Sequence, residues 1–402
     1  MALPLEGIKV VDLSTWLMAP CAAAILADYG AEVVKIEDPD GGDFLRGIMS
    51  AGPIEPTDIN FPLELVNRNK KSVAVNLKTE KGKEIVYKLV ERSDIFISNL
   101  RRPSLGRLAM DYPTLSRLNP SLIYAHISGY GPKGPDKNRP AFDELAYWAR
   151  GGFMSVLGEP DSLPVPLHGA MGDLPSGAIT VSGIMMALYH RERTGEGQEV
   201  NCSLYECGLW ANGWDVQHGL VTGEDVPRSS RSDTGHPLYN IYQTQDGGWV
   251  FLNMLHGDHY WADTCKALGL EELITDPRFD THERRVRNSK EAIALIDATI
   301  LTKDRDEWAT IFDQHNLVWA PAASIKEIIQ DPQAWDNDYF VEMDHPSGKP
   351  LKLIAAPFQL TKTPSEVKTS CPELGQHTRE VLETLGYRGD EIEGLKAQKV
   401  IL

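Results

Sequence analysis

Cysteine is scarce in this chain. The five thiols, Cys21, Cys202, Cys207, Cys265 and Cys371, are scattered and odd in number, and no pair has the spacing of zinc ligands. That excludes a disulfide scaffold or a zinc module and leaves reduced, mostly buried thiols. No apolar run approaches the roughly 20 residues needed to span a bilayer. The opening Met-Ala-Leu-Pro-Leu-Glu-Gly has no basic stretch followed by an apolar one, which argues against a signal peptide and for a cytoplasmic protein. Positive charge is also short, with 40 basic residues against 57 acidic ones and a net charge of −17. Nucleic acids and anionic membranes are bound through basic surface, so neither is expected as a partner. Any anionic ligand must be held by a local basic pocket working against the overall field. Internal repeats and low-complexity tracts are absent.

What is present is ordinary material for a folded α/β protein. The 402 residues, 42% of them hydrophobic, suffice for two or three domains with a sizeable core. Over the first 130 residues strands and helices alternate. Ile8-Lys-Val-Val-Asp-Leu13 reads as a strand, followed by a turn at Pro20, a small-residue helix Cys21 to Tyr29 closed by Gly30, and a strand Glu32-Val-Val-Lys-Ile-Glu37. Further strands are expected at Ser72 to Leu77, Asp94 to Ser98 and Leu122 to Ile127, with a helix over Glu80 to Arg92. This pattern predicts a Rossmann-like, doubly wound, mostly parallel sheet, with ligands gathered at the carboxyl ends of its strands. The dinucleotide fingerprint is missing, because Ser-Thr-Trp-Leu-Met-Ala-Pro20 follows the first strand without the glycines a pyrophosphate needs. An NAD-dependent oxidoreductase is therefore disfavoured.

The large domain is expected to comprise residues 1–222 together with 325–402. A polar linker over 223–237 leads to a smaller α+β domain over 238–324, which opens on a hairpin, Tyr239 to Thr244 and Trp249 to Leu252, joined through Asp246-Gly-Gly. Between the strands and the linker lies Gly169-Ala-Met-Gly-Asp-Leu-Pro-Ser-Gly177, at the mouth of a small-residue helix over Ala178 to His190. Asp173 in that run stands at a helix start, where unpaired N–H groups and the dipole favour a carboxylate. The expectation is a carboxylate that stays ionised and faces a glycine-lined space. Locally it reads as a helix cap.

A larger set of short segments gives Asp173 a different weight. Leu5-Glu-Gly-Ile-Lys-Val-Val-Asp-Leu13, Ala27 to Glu37, Asn67-Arg-Asn-Lys-Lys-Ser72 with Asn76-Leu-Lys78, Asp94 to Asn99, Ser128-Gly-Tyr-Gly131, Arg139-Pro-Ala-Phe-Asp143, Gly172-Asp173, Arg193 to Gln198 and Leu374 to Leu382 occur in one order over most of the chain. In that order they resemble the class III CoA-transferases, the formyl-CoA and carnitine-CoA transferase (CaiB/BaiF) family. The resemblance implies that Asp173 is a nucleophile, acylated by a CoA thioester to a mixed anhydride and then converted to an aspartyl-CoA thioester. It implies a CoA-binding set of Leu17, Met18, Val75, Lys78, Asn99, Leu100, Arg107 and Arg139, and an acyl pocket of Trp16, Phe142 and Gly172. Small residues at Gly169, Ala170 and Gly172 would leave room around the carboxylate. CoA thioesters are substrates in this scheme, no cofactor is permanently bound, and no metal has a task. An interlocked homodimer is implied as well, with a heteromer of related chains left open.

The chain departs from the formyl-CoA transferases in informative places. Leu17 replaces a glutamine, Asp38 replaces an arginine near the nucleotide, and a glycine run in the small domain is lacking. Trp16-Leu17-Met18 suggests a larger or more apolar acid. Ala146-Tyr-Trp-Ala-Arg-Gly-Gly152 resembles the branch serving 2-hydroxy and aryl-substituted acids, so the expected acceptor is a 2-hydroxy, aryl-substituted or substituted dicarboxylic acid. Two rival readings are disfavoured by the residues. Racemases of the same fold use a histidine in a Gly-His-Asp motif, and here Phe142 stands in its place and cannot shuttle a proton. A non-catalytic subunit of a heteromer would be expected to lose the aspartate. His126 reads as a strand histidine, and His256 with His259 as a polar helix start in the small domain.

Overall fold

The short apolar runs of the N-terminal half assemble into one sheet in the computed structural model, which describes residues 2–51 and 55–402. β1 (Lys9–Leu13), β2 (Glu32–Glu37), β3 (Lys70–Ala74), β4 (Ile95–Ser98), β5 (Ile123–Ser128) and β6 (Gln198–Ser203) lie in the order β3-β2-β1-β4-β5-β6. Every pairing is parallel. Strands covered on both faces read as continuous apolar runs, and all four residues of β4 are buried. The strand order reverses between β1 and β4, and in doubly wound sheets that reversal opens a crevice beyond the strand ends.

Two local expectations shift. β3 begins at Lys70 and ends at Ala74, because Lys70 is anchored inside by Asp12 at 2.8 Å. Past Ala74 the chain turns to the C-terminal tail instead, where Val75 bridges to Ile401 and Asn76 N–H donates to the Val400 carbonyl at 2.8 Å. Pro20 does not make a turn. It lies in the first turn of the helix Met18–Asp28, where proline's missing N–H costs nothing.

That helix is buried along its whole length, since it packs both on the sheet and on the long helix Asp173–Thr194, hereafter the site helix. Close approach is allowed by Gly177, where a Cβ would come within 2.9 Å of the Met18 carbonyl oxygen and 3.0 Å of the Cys21 Cβ. The site helix ends at Gly195, which takes the left-handed φ of 76° that suits glycine. Cys202 and Cys207 lie with their sulfurs 3.5 Å apart, and all five cysteines are free.

The chain divides into two compact units. The first is Met1–Met154 with Pro166–Gly223 and Trp335–Leu402, and the second is Ser155–Val165 with Glu224–Ala334. In the second, β7 (Tyr239–Gln243) and β8 (Trp249–Asn253) form the expected hairpin, with β9 (Trp319–Pro321) added antiparallel to β8. Its core is built from Tyr242, Trp261, Phe279, Trp308 and Phe312. Among the described residues no helix is long and apolar enough to cross a membrane.

Candidate active site

The loop after β1 is held in place by two side chains that reach it from other elements. Asn99, just past β4, spends its whole amide on Thr15: Thr15 N–H donates to its Oδ1 at 3.0 Å and its Nδ2 donates to the Thr15 carbonyl at 2.6 Å. Asp43 Oδ1 accepts from Thr15 Oγ1 at 2.8 Å and from Trp16 N–H at 3.2 Å. The other Asp43 oxygen is 2.8 Å from Lys35 Nζ, which also donates to the Ser14 carbonyl at 2.9 Å. Lys35, Asp43, Asp12 and Lys70 are all buried. Burial alone would lower the pKa of the Lys35 ammonium, but Asp12, Asp43 and Glu37 outweigh it and hold it above its ordinary value. An ion cluster of this kind, desolvated and hydrogen-bonded, fixes the loop in one geometry.

Asp173 is the first residue of the site helix and is partly buried. The helix start is capped from a distance: the carboxylate of Asp143, 3% exposed, accepts from Gly172 N–H at 3.0 Å and Asp173 N–H at 3.3 Å. Gly172 has to be glycine for this contact, because a Cβ there would lie 2.8 Å from both the Asp143 Cβ and the Tyr147 Cγ. Burial pushes the Asp143 carboxyl up to about 6 against the N–H groups that favour its charge. The expected stabilisation of the carboxylate's charge by the helix start is not found here. The Asp173 pKa is raised well above the ordinary value, first by burial and then by Asp143 and Glu144. The leading N–H groups serve Asp143, and no hydrogen bond from the described residues stabilises the Asp173 charge.

Asp173 lines a cavity of about 450 Å³ at the carboxyl ends of β1, β4 and β5. Its walls bring together most of the residues anticipated from the sequence: Trp16, Leu17, Met18, Asn99, Leu100, Arg139 and Phe142, with His126 and the cations Arg101, Arg102 and Lys137. Val75 and Lys78 line a neighbouring cavity of about 240 Å³, which also contains Asp38 and Leu100. Lys78 is exposed and 3.8 Å from Asp38. Arg107 lines neither cavity. It is exposed and donates to Ser104 Oγ at 3.0 Å. Gly172 stands behind the wall, against Asp143 and Tyr147, rather than in it. His126 is buried, its Nε2 is 3.1 Å from the Leu100 carbonyl, and burial with Arg102 lowers its pKa. In the second unit His256 directly precedes the helix Gly257–Leu268, with His259 in its first turn.

Sequence reading missed Asp143, Asp43 and Lys35 as parts of the site. Asp143 belongs to the quoted Arg139-Pro-Ala-Phe-Asp143 segment, but nothing local ties it to a helix start 29 residues on.

The fold and the site together define an α/β protein with a doubly wound sheet, no dinucleotide loop, and a carboxylate and several cations around one crevice. The particular family follows from comparison: the sequence model of CoA-transferase family III matches residues 5–378. The chain is 33% identical to (R)-2-hydroxy-4-methylpentanoate CoA-transferase of Clostridioides difficile, over 99% of each protein. It is 34% identical to cinnamoyl-CoA:phenyllactate CoA-transferase of Clostridium sporogenes, over 99% of this chain and 97% of that one. A CaiB/BaiF family protein from Brucella suis superposes with a TM-score of 0.83 at 28% identity, covering 96% of this chain and 100% of that chain. The chain belongs to CoA-transferase family III. It is an enzyme that transfers CoA between acids, with CoA thioesters as its substrates.

Proposed function

We propose that Asp173 is the nucleophile of this transfer and that its acceptor is a 2-hydroxy, aryl-substituted or substituted dicarboxylic acid. The observation that carries the reading is a carboxylate with no hydrogen-bond donor among the described residues, facing a cavity at the sheet's switch point. An Asp173 oxygen attacks the donor thioester carbonyl, the C–S bond breaks, and the CoA thiolate leaves a mixed anhydride behind. The thiolate then attacks the aspartyl carbonyl, expelling the donor's acid as a carboxylate and leaving an aspartyl-CoA thioester. The acceptor carboxylate attacks that thioester, and the released thiolate takes the acceptor's acyl group, regenerating Asp173. No net proton is consumed. Like charges at Asp143 and Glu144 disfavour the Asp173 anion, and acylation removes that repulsion while the charge passes to the sulfur.

Leu17, Met18, Asn99, Leu100 and Arg139 would meet the CoA arm and nucleotide in the first cavity, and Val75 and Lys78 would extend that contact into the second. Arg107 would act only from the rim. A homodimer is part of this reading. It is supported by the helices Leu204–Ala211 and Gly213–Thr222, which leave Trp210 81% and Trp214 89% exposed, and the second of these helices has no buried residue.

The test is intact-protein and peptide mass spectrometry after incubation with a panel of acyl-CoA esters and brief hydroxylamine treatment. Hydroxylamine converts an activated aspartyl carbonyl to a hydroxamate, adding about 15 Da. The mark is expected on the peptide holding Asp173 and is expected to be lost in Asp173→Ala. Absence of a mark with every donor, together with α-proton exchange in deuterated buffer, would favour an isomerase and sink the nucleophile assignment.

A further inference from the structure

Cys202, in β6, and Cys207, in the helix Leu204–Ala211, are the one pair of cysteine sulfurs within hydrogen-bonding distance among the described residues, 3.5 Å apart. Backbone on both sides holds them there. Cys202 is in register with Ile127 of β5, and Ser203 caps the helix by accepting from Glu206 N–H at 3.2 Å. Cys202 is 8% exposed and Cys207 1%, so Cys202 is the sulfur that solvent reaches. The Cys207 hydrogen bond, with help from Thr180 and the Ser203 N–H, holds the Cys202 thiol below its ordinary pKa against burial. Burial pushes Cys21, Cys265 and Cys371 up to about 12, where the reactive thiolate is scarce. Both paired thiols also touch the site helix. Cys202 meets Thr180 and Cys207 meets Ser176, and Ser176 Oγ donates to the Gly172 carbonyl at 2.6 Å. The helix that carries Cys207 is pressed on Tyr147, since a Cβ at Gly208 would come within 2.4 Å of the Tyr147 carbonyl oxygen. Tyr147 in turn lies against Gly172, and its own turn of helix, Glu144–Ala149, directly follows Asp143, which caps the site helix. A displacement at Cys207 therefore reaches the start of the site helix by two routes, through Ser176 and through Tyr147.

We propose that Cys202 and Cys207 form a redox switch on the site helix, closed to a disulfide by a peroxide and reopened by a dithiol. The Cys202 thiolate attacks one peroxide oxygen, and the O–O bond breaks to leave a sulfenic acid and hydroxide. The Cys207 sulfur then attacks the Cys202 sulfur, the S–O bond breaks, and a second hydroxide leaves. The two thiol protons convert both hydroxides to water. Two thiols and one hydrogen peroxide thus give one disulfide and two waters, each sulfur losing one electron to the peroxide. Reopening passes the disulfide to the dithiol reductant by exchange. A disulfide holds its sulfurs about 2.0 Å apart, so closure brings this pair together by about 1.5 Å. That movement draws the helix Leu204–Ala211 off its seat on Tyr147 and disturbs the Asp143 cap, which slows the transfer. The effect on catalysis rests on the reading of Asp173 above; closure of the disulfide does not.

The experiment treats the full chain with hydrogen peroxide in small excess, alkylates the remaining thiols under denaturing conditions and digests with trypsin. Both cysteines fall in one tryptic peptide, Thr194 to Arg228. That peptide is expected unalkylated and about 2 Da lighter than its dithiol form, with Cys21, Cys265 and Cys371 alkylated. Deuterium uptake by the amides at the start of the site helix is expected to rise in the oxidised protein. Activity is read by isotope exchange, in which 3-phenylpropanoyl-CoA or 4-methylpentanoyl-CoA is equilibrated with its own carbon-13-labelled free acid. The oxidised protein is expected to exchange about 10- to 100-fold more slowly, as a reacting group displaced by about 1 Å does. Dithiothreitol is expected to restore mass, uptake and rate, which separates the switch from methionine sulfoxide, a product that needs its own reductases. Cys202→Ser and Cys207→Ala are expected to keep the rate of the reduced protein and to lose the response to peroxide, with thermal melts reporting their folding. Alkylation of both thiols after peroxide overturns the switch, as does a disulfide at another pair. So does a closed Cys202–Cys207 bond with uptake and rate unchanged, or a response that persists in the folded variants. No exchange by the reduced protein with either acid overturns the proposed acceptor class instead, and mass and deuterium uptake, which use no substrate, then decide the switch.

Discussion

Replacing Asp143 with asparagine separates what this carboxylate does for the helix start from what it costs. Its pKa in the fold is about 6 against an ordinary 3.8. Between those values the folded protein holds a proton that the unfolded chain has released. The raised pKa therefore favours the fold at low pH, and that contribution is lost as pH rises through about 6. A shift of this size corresponds to roughly 3 kcal/mol, so at pH 8 the ionised group loads the native state by that order. Asparagine carries no charge, and its Oδ1 can still accept from the Gly172 and Asp173 N–H groups that Asp143 Oδ2 serves. Bonds to a charged acceptor are stronger, which returns about 1 kcal/mol. Asp143→Asn should thus gain about 1–2 kcal/mol at pH 8, with the gain gone near pH 4. Urea denaturation of both proteins across that range measures it. The same change removes one of the two charges that raise the Asp173 pKa, so the acid limb of kcat/KM should move to lower pH. A variant that is less stable than wild type at pH 8, with its acid limb unmoved, would refute the reasoning.

Two further outcomes follow from packing. Gly172→Ala pushes a Cβ to 2.8 Å from Asp143 and Tyr147, so it should destabilise by about 1–3 kcal/mol in urea and reduce exchange activity by displacing the cap; an unchanged midpoint would contradict the contact. Lys35→Met leaves Asp43 and Asp12 buried without one of their cations, so a loss of about 3–5 kcal/mol is expected by chemical denaturation at pH 7, and a loss below about 1 kcal/mol would show that the ion cluster does not hold the loop.

The sheet was legible because each strand is a continuous apolar run between turn signals, a pattern set by burial on both faces. Glu32 to Glu37 is found with the bounds its residues suggest, and the Asp246-Gly hairpin forms as its turn residues require. The ends were less legible where distant groups decide them. β3 starts at Lys70 because a buried aspartate on another strand holds that lysine, and it stops at Ala74 because the tail arrives beside it.

The candidate site divides along the same line. Local sequence and family resemblance singled out Asp173 and located the loop after β1, since both depend on short segments and on the rule that places ligands at strand ends. The ionisation of Asp173 was beyond that reach. A helix start by itself favours a carboxylate's charge, but here the N–H groups are taken by Asp143, brought from 30 residues away, and burial turns the balance the other way. The left-handed Trp16 likewise depends on Asn99 and Asp43, contributed by different strand ends. Periodicity and composition report which residues prefer to be buried, whereas the charge and conformation of a buried group are set by whichever partners the fold places within hydrogen-bonding distance, and only the tertiary structure supplies that distance.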